Sequence, residues 1–517
     1  MKRAKILWAD DEIDLLKPYI LFLEEKGFDV VPVNSGRDAV EKCSQQYFDL
    51  IFLDEHMPGL TGLETLSEIS GSHPQIPVVM ITKSEDEGIM EKAIGKKISD
   101  YLIKPVNPHQ ILMAVKKILE KKEIISETNT ENYREDFNRL SSKINSCRNA
   151  GDWVKVYKTL TSWDIEFTLS QNPMQEVLQM QHAEANGEFG KFIKQNYQQW
   201  FKNGGDAPML SHNLFEQHLF PMMDEGEKLF FILIDNFRFD QWLMIQDIVS
   251  EHFTYVEDTY FSILPTATQY ARNAIFAGLT PLEISKKLPE YWTDESEEDG
   301  KNLSEELLLK SLMDRNRRSE KFSYHKINSN AEGERLLGKF DKLEINDLNA
   351  LVFNFIDILS HSRSESSMIR ELTPNEPAYR SLTRSWFLHS PLRALLQKIS
   401  EKGYRALLTT DHGTIRVKNP QKVVTERNTN SNLRYKVGRH LTYDSKKVFE
   451  IGSPEKSGLP YPNISSKYIF ALKEDFFVYP NNYNQYASHY ENTFQHGGIS
   501  MEEMIVPLIT LLPKQNI

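Results

Sequence analysis

The chain has 517 residues, 40% of them hydrophobic and 11% aromatic, enough for two to four domains that each bury a core. No run approaches the roughly 20 apolar residues of a membrane span, and the start MKRAKILWADDE turns acidic too early for a signal peptide, so a cytoplasmic protein without membrane insertion is expected. The excess of 73 acidic over 61 basic residues excludes a chain built mainly to coat nucleic acid, and the two lone cysteines, Cys43 and Cys147, exclude a disulfide framework or a cysteine-rich zinc site.

Residues 1–121 alternate short apolar runs with amphipathic ones: AKILW, DLLKPYILFLEEKG, FDVVPV, FDLIFLD, IPVVMIT, SDYLIKP and HQILMAVKKILEKK. Apolar strands separated by helical patterns predict a doubly wound parallel sheet whose site lies at the strand C-terminal ends. Those ends carry Asp10 and Asp11, Asp54, Thr82 and Lys104. Three converging carboxylates repel unless a cation lies between them, and all-oxygen ligation suits Mg²⁺. Asp54 is then the phosphate acceptor. Thr82 and Lys104 offer a hydroxyl and an ammonium to the new phosphoryl group, and Lys104-Pro105 is expected to be cis. With DDE at 10–12, LDEHMPGLTG at 53–62 and YLIKP at 101–105, this set resembles the receiver domain of bacterial two-component response regulators. The resemblance implies that the His56 backbone carbonyl completes the magnesium shell, that the Tyr101 rotamer follows Thr82, and that a sensor histidine kinase donates the phosphoryl group.

Over 122–205, three stretches carry apolar residues at three- and four-residue spacing, which predicts a small bundle of helices connecting two domains. Breaks fall at Asn149–Gly151 and Gln171–Pro173, and Asn203-Gly204-Gly205-Asp206 closes the segment. Trp153, Tyr157, Trp163, Phe167 and Trp200 are expected in the core, because basic residues do not gather around them as a base-stacking platform requires. No helix-turn-helix pattern follows the receiver, so direct sequence-specific DNA binding is not expected.

From 206 to 517 the strand-like runs KLFFILID (228–235), TYVEDTYFSILPT (254–266), ALVFNFID (350–357) and YRALLTTD (404–411) predict a second, larger α/β domain. Three of these four runs end on Asp. Asp357 and His361 can meet one ion across a turn of chain, Asp411 and His412 are adjacent, and Asp235 and His496 complete six candidate ligands. Six N and O donors are too many for one tetrahedral zinc but fit two ions, zinc or manganese, whose paired charge suits phosphoryl transfer. PTATQYARNAIFAG (265–278) supplies the nucleophile, Thr268 with Thr266 as the alternative.

This Pro-x-x-Thr entry to a helix resembles the alkaline phosphatase superfamily, especially its nucleotide phosphodiesterase branch. The resemblance implies one zinc on Asp235, Thr268, Asp411 and His412 and another on Asp357, His361 and His496, with attack by Thr268 giving a phosphothreonine intermediate. DNFRFDQW (235–242) and the ending FQHGGISMEEMIVPLI (494–509) more narrowly resemble PglZ domains, and the domain order resembles PorX-like response regulators, a family tied to type IX secretion. A homodimer is a further expectation of that resemblance.

Beside the proposed metals, the segment 413–440 carries Arg416, Lys418, Lys422, Arg427, Arg434, Lys436 and Arg439, with Tyr435 between two of them. It reads either as a site for an oligonucleotide or cyclic oligonucleotide, with Arg416, Arg434 and Lys436 on phosphates and Tyr435 on a base, or as a solvated loop. Arg272 reads equally as a phosphate ligand or as a structural ion pair. The competing function is a phosphorylation-gated binding module whose output is contact with a sigma factor or a secretion-system component.

Overall fold

Strands that are apolar on both sides have no solvent face, and the N-terminal ones pair into a five-stranded parallel sheet. β1 (Lys5–Ala9), β2 (Asp29–Val33), β3 (Leu50–Asp54), β4 (Val78–Thr82) and β5 (Asp100–Ile103) lie in the order β2-β1-β3-β4-β5. Leu7, Ile51, Leu53 and Met80 enter one apolar cluster while Ile6, Trp8, Phe52 and Ile81 enter the other, the period-two division of a sheet covered on both faces. Helices α1 (Lys17–Glu25), α2 (Gly36–Gln45), α3 (Gly62–Ser72) and α4 (Pro108–Val115) connect the strands or follow them. Ser35 caps α2, and reciprocal capping boxes, Thr61 with Glu64 and Asn107 with Gln110, start α3 and α4. Strand order reverses between β1 and β3, so Asp10 and Asp54 stand at the crevice where open parallel sheets bind ligands.

The structure is a computed structural model that describes residues 4–73, 75–83, 98–202, 207–226, 228–293, 302–365, 367–425, 430–461, 463 and 465–514, without the side chains of 120–125 and 362–368. The turn expected at 203–206 and Arg427 lie outside the described residues. The chain divides into two compact units, Met1–Asn132 with Ser170–Asn172 and Tyr133–Leu169 with Pro173–Ile517. Among the described residues no helix is long and apolar enough to cross a membrane.

The second unit is built on a six-stranded mixed sheet. β6 (Leu229–Ile234), β7 (Phe253–Phe261), β8 (Phe322–Ile327), β9 (Leu348–Phe353), β10 (Arg405–Thr409) and the final strand β18 (Ile505–Pro513) lie in the order β7-β18-β10-β6-β9-β8. Only β18 runs against the others, so β6, β7, β9 and β10 bring their C-terminal ends to one rim. Between β10 and β18 the chain forms short strands: β11 (Ile415–Arg416) with β17 (Phe494–Gln495), β12 (Asn419–Lys422) with β16 (Asp475–Val478), and β13 (Tyr435–Gly438) and β14 (Val448–Ile451) on either side of β15 (Lys467–Ala471).

Helices α5 (Lys121–Ser146), α6 (Ala150–Ser170) and α7 (Gln175–Asn196) occupy the segment expected to be a separate bundle. From Tyr133 onward, their apolar faces close partly on one another, with Tyr133 edge-on to Trp163 and Phe167 and Trp153 to Phe189, and partly on the α/β domain. Trp153, Tyr157, Phe167 and Phe189 share one apolar cluster with Phe230, Ile232, Phe239 and Phe261 of the sheet and its next helix, α8 (Phe239–Val249). Ring pairs cross this junction: Tyr157 with Phe239 at 6.0 Å, Phe189 with Phe261 at 6.4 Å and Trp200 with Phe261 at 5.6 Å. The aromatic residues expected in the core are there, but the core is that of the α/β domain. Phe189→Ala is therefore expected to lower the stability of the whole second unit by about 3–5 kcal/mol. Urea unfolding followed by tryptophan fluorescence checks this: a separate early transition of the helices, with the α/β transition unmoved, is the contrary result.

Candidate active site and metal centres

The rim of the six-stranded sheet gathers acids and imidazoles from three strand ends, and His496 joins them from the turn after β17. Asp235 follows β6, Asp357 stands in the first turn of α10 (Phe355–Glu365) after β9, and Asp411 and His412 follow β10. Two clusters result, Asp235 with Asp411 and His412, and Asp357 with His361 and His496, each with its donor atoms within 4.8 Å of one another. In the first, His412 Nε2 lies 3.8 Å from Asp235 Oδ1 and 3.9 Å from Asp411 Oδ2. In the second, Asp357 Oδ1 lies 3.5 Å from His361 Nε2 and 3.8 Å from His496 Nε2. The clusters adjoin, because the His412 and His496 rings stack with centroids 4.3 Å apart.

Backbone contacts fix which ring nitrogens face the clusters. A carbonyl oxygen only accepts, so Nδ1 of His496 donates to Thr266 O at 3.1 Å and Nδ1 of His412 to Gly413 O at 3.2 Å. Both Nε2 atoms are left as lone-pair donors toward the acids, the arrangement that orients metal-ligating imidazoles. Burial, reinforced by the neighbouring His412, pushes the His496 imidazole down to about 3, so it is neutral at physiological pH. Burial raises Asp357, but the hydrogen bond and charge of His361, with the other two imidazoles, outweigh it and hold the carboxyl below the usual range. Burial also drives Asp235 well above that range in spite of Arg272, whereas Arg272 and His412 overcome burial at Asp411 and lower it. Asp235 Oδ1 is buried without a hydrogen-bond partner, an expensive state for a carboxylate that a bound cation relieves. Neutral nitrogens, carboxylates and an orphaned oxygen fit a pair of zinc-type ions.

Thr268 opens α9 (Thr268–Ala277) in this setting. Between Tyr260 and Ala277 every residue but Thr268 is buried, and its Oγ1 lies 3.1 Å from His412 Nε2. The alternative, Thr266, is fully buried: its hydroxyl donates to Gly498 O at 2.9 Å and accepts from Gly497 N at 3.0 Å. Thr266 thus holds the His-Gly-Gly turn that carries His496, and Thr268 faces the clusters. Gly497 has φ of +117°, and a Cβ there would lie 2.7 Å from the Tyr435 ring, so the turn needs glycine.

The cations read as phosphate ligands are placed otherwise. Arg272 is 1% exposed, pairs with Asp235 and, at 3.0 Å, with Asp411, and donates to Asn354 Oδ1 at 3.2 Å, so its charge neutralises the acids from behind. Arg434 is 0% exposed against Glu503, and Lys436, 1% exposed, donates to Asn430 O at 2.7 Å and to Tyr479 Oη at 3.1 Å. Tyr435 is buried edge-on to Tyr270 at 5.9 Å and cannot stack on a base. The substrate roles read for Arg434, Tyr435 and Lys436 are therefore corrected, because this part of the basic run enters β13 and is buried, while for Arg272, on α9, the ion-pair alternative holds. Arg416 stays partly exposed, its Nε donating to Asn492 O at 3.4 Å.

Two residues of the site, Asn236 in DNFRFDQW and Glu503 in the closing FQHGGISMEEMIVPLI stretch, were not singled out from the sequence. Asn236, with φ of +62°, donates from Nδ2 to Asp357 Oδ1 at 3.2 Å and to Ser360 Oγ at 3.0 Å. Glu503, fully buried, meets Arg434 and the backbone of the 496–498 turn. The left-handed Asn directly after a strand-end Asp is the one cue that motif reading could have used.

In the first unit Asp10, Asp11 and Asp54 form a third cluster of the same kind. Lys104 Nζ donates to Asp10 Oδ2 at 2.7 Å and to Asp54 Oδ2 at 3.0 Å, and Lys104-Pro105 is cis. Burial raises the Asp54 carboxyl, with Asp10 and Asp11 adding to it against Lys104, and Asp54 Oδ1 is buried without a hydrogen-bond partner, which fits a magnesium ion. Thr82 is fully buried at the end of β4, Tyr101 is half-buried on β5 opposite Met80, and the His56 side chain is exposed.

Comparison with known proteins follows the same three segments. A family described as the BREX system PglZ alkaline phosphatase-like domain matches residues 214–511, more than half of the chain. The chain belongs to the PglZ alkaline phosphatase-like family. Residues 6–116 match the response regulator receiver domain and residues 123–201 the PorX response regulator linker domain. The alkaline phosphatase synthesis transcriptional regulatory protein PhoP of Bacillus subtilis is 33% identical over 122 residues, 23% of this chain and 50% of its own length. The transcriptional regulatory protein ResD of the same organism is 26% identical over 173 residues, 33% of this chain and 72% of its own. The chain thus spans about half the length of the first of these relatives. Among solved structures, Vibrio cholerae chemotaxis protein CheY4 is similar over 23% of this chain and 100% of its own at 28% identity, with a TM-score of 0.22.

The two threonines are separable by stability. Thr266→Val is expected to cost about 1–3 kcal/mol through the buried groups it leaves unpaired, and Thr268→Val well under that. Urea denaturation of chelator-treated protein checks the difference, and equal losses would contradict the division of roles.

Proposed function

We propose that this chain is a phosphorylation-controlled phosphodiesterase, a response regulator whose Asp54 takes a phosphoryl group from a sensor histidine kinase and whose C-terminal domain cleaves phosphodiesters of nucleotides or of linear or cyclic oligonucleotides. The observation that carries it is Thr268: the one residue not buried in an otherwise buried stretch, its Oγ1 3.1 Å from His412 Nε2 in one of two adjoining ligand clusters. Two zinc or manganese ions, held by Asp235, Asp411, His412 and Thr268 and by Asp357, His361 and His496, supply Lewis-acid charge for the attacking and leaving oxygens.

Thr268 Oγ1, its proton passing to solvent, attacks phosphorus in line: an oxygen–phosphorus bond forms as the bond to the leaving alkoxide breaks and that alkoxide takes a proton from solvent, and water then displaces the threonine oxygen, losing one proton as the threonine regains its own. The amino end of α9 places peptide N–H groups at the phosphate, whose charge they favour. Asn236 and the Thr266-held turn keep Asp357 and His496 in place. The pairing of Arg272 with Asp235 and Asp411 supports a diester, because this guanidinium is already matched by acids and offers no clamp to a monoester dianion. Mg²⁺ at Asp10, Asp11 and Asp54 serves the phosphoryl transfer, and by the resemblance to PorX-like regulators the output is a receiver-controlled homodimer linked to type IX secretion.

Zinc-loaded protein is expected to hydrolyse bis-p-nitrophenyl phosphate faster than p-nitrophenyl phosphate, and Thr268→Ala to lose at least about a thousandfold of that rate while retaining zinc. Equal rates in both proteins would remove Thr268 as nucleophile. No activity in either, with zinc bound, would favour the phosphorylation-gated binding module. Acetyl phosphate with Mg²⁺ should label the protein and not its Asp54→Asn variant, read by phosphate-affinity electrophoresis; labelling of both would place the acceptor elsewhere.

A further inference from the structure

We propose that Asn186, on linker helix α7, is a positioning residue for both metal loops, acting through the turn that ends at Glu503; this rests on the two-cation reading of the site. Asn186 is buried, and both ends of its amide are engaged. Its Oδ1 accepts from Met501 N at 2.8 Å, and its Nδ2 donates to Glu502 Oε2 at 3.0 Å and Oε1 at 3.2 Å. One turn earlier on the same helix, His182 Nδ1 stands 3.4 Å from Glu502 Oε1.

The turn so gripped touches each histidine loop. Glu503 O accepts from Gly413 N, the residue after His412, at 3.1 Å. Glu503 Oε1 accepts from Gly498 N, two residues after His496, at 2.9 Å. The carboxylate itself is fixed, accepting from Ser500 Oγ at 2.8 Å and from Arg434 Nε and Nη2 at 3.1 and 2.6 Å in a fully buried pair. Gly413 has no slack against it, since a Cβ there would fall 2.0 Å from Glu502 O. A displacement of this turn therefore shifts the two stacked imidazoles, one from each cluster, together. The linker braces the catalytic domain at a place where its own packing sets how well the ions are held, and outer partners of metal ligands typically change affinity by about 10- to 100-fold.

Gln181 supplies a matched control. It lies on the same helix, equally buried, but accepts from Tyr133 Oη at 2.9 Å and donates to Phe137 O at 3.1 Å and Ser141 Oγ at 2.8 Å, all within the linker helices. In the full chain, Asn186→Ala and Gln181→Ala are expected to lose similar thermal stability, but only Asn186→Ala should weaken zinc binding, by about tenfold in competition with a chromogenic chelator. Its KM for bis-p-nitrophenyl phosphate should stay unchanged while kcat falls at limiting zinc. Glu502→Ala, at a partly exposed position, removes the acceptor of Nδ2 and the partner of His182 but leaves the Met501 N bond to Asn186, and should shift zinc affinity in the same direction by a smaller factor; it decides the matter if Asn186→Ala does not fold. Unchanged zinc affinity in both linkage variants, or an equal loss in Gln181→Ala, overturns the proposal. Chelator competition needs no turnover, so a wild type that binds zinc but cleaves no diester defeats the proposed activity and leaves this comparison intact.

Discussion

Three carboxylates, Asp235, Asp357 and Asp411, converge at the rim of one sheet with little water around them, and the surrounding structure is organised by that repulsion. Like charges in a low-dielectric setting cannot all stay ionised without compensation. Arg272 answers two of them from inside α9, which is why a guanidinium in the first turns of a helix that starts at Thr268 is buried rather than offered to a ligand. Asp357 has imidazoles instead. Even so, Asp235 stays perturbed upward and keeps an oxygen without a partner, so the protein's own charges do not finish the task. The same condition recurs at Asp54, where Lys104 pairs with two of three clustered acids. Each unit thus gathers acids whose charge its own cations only partly offset.

Holding such a site open requires rigid supports, and these come from sequence-distant segments. The His-Gly-Gly turn is pinned by Thr266, the 411–413 loop by the backbone of Glu503, and that glutamate by Arg434. The basic run after His412 therefore serves as a buried framework in its middle and reaches solvent elsewhere. The linker helices belong to the same framework, since their aromatic faces are continuous with the core beneath the sheet and Asn186 meets the turn before Glu503. A segment that looks like a spacer is a wall of the PglZ alkaline phosphatase-like domain.

The fold class, the receiver, linker and PglZ segments and their order were legible in the sequence, because strand-end acids and the Asp-x-x-x-His and His-Gly-Gly spacings are local patterns. Every side chain read as a metal ligand is brought into one of the three clusters except Thr268, which adjoins one, and His56, whose expected role is a backbone one. What was not legible depended on long-range packing. Arg434 and Lys436 look solvated in a run of charges, and only the buried pair with Glu503 and the pairing of β13 with β15 show that they are enclosed. Arg272 was ambiguous because its partners lie 37 residues before it and 139 after it. Amphipathic spacing on the linker helices revealed that they bury a face, not what they bury it against.

The central claim is that the two clusters hold two ions. Crystals of the full chain grown with zinc, measured on either side of the zinc absorption edge, test it most directly. The account predicts two anomalous peaks, one about 2.0–2.2 Å from donor atoms of Asp235, Asp411 and His412 and the other at that distance from Asp357, His361 and His496. A single peak, or ions bound elsewhere while both clusters stay empty, would contradict it.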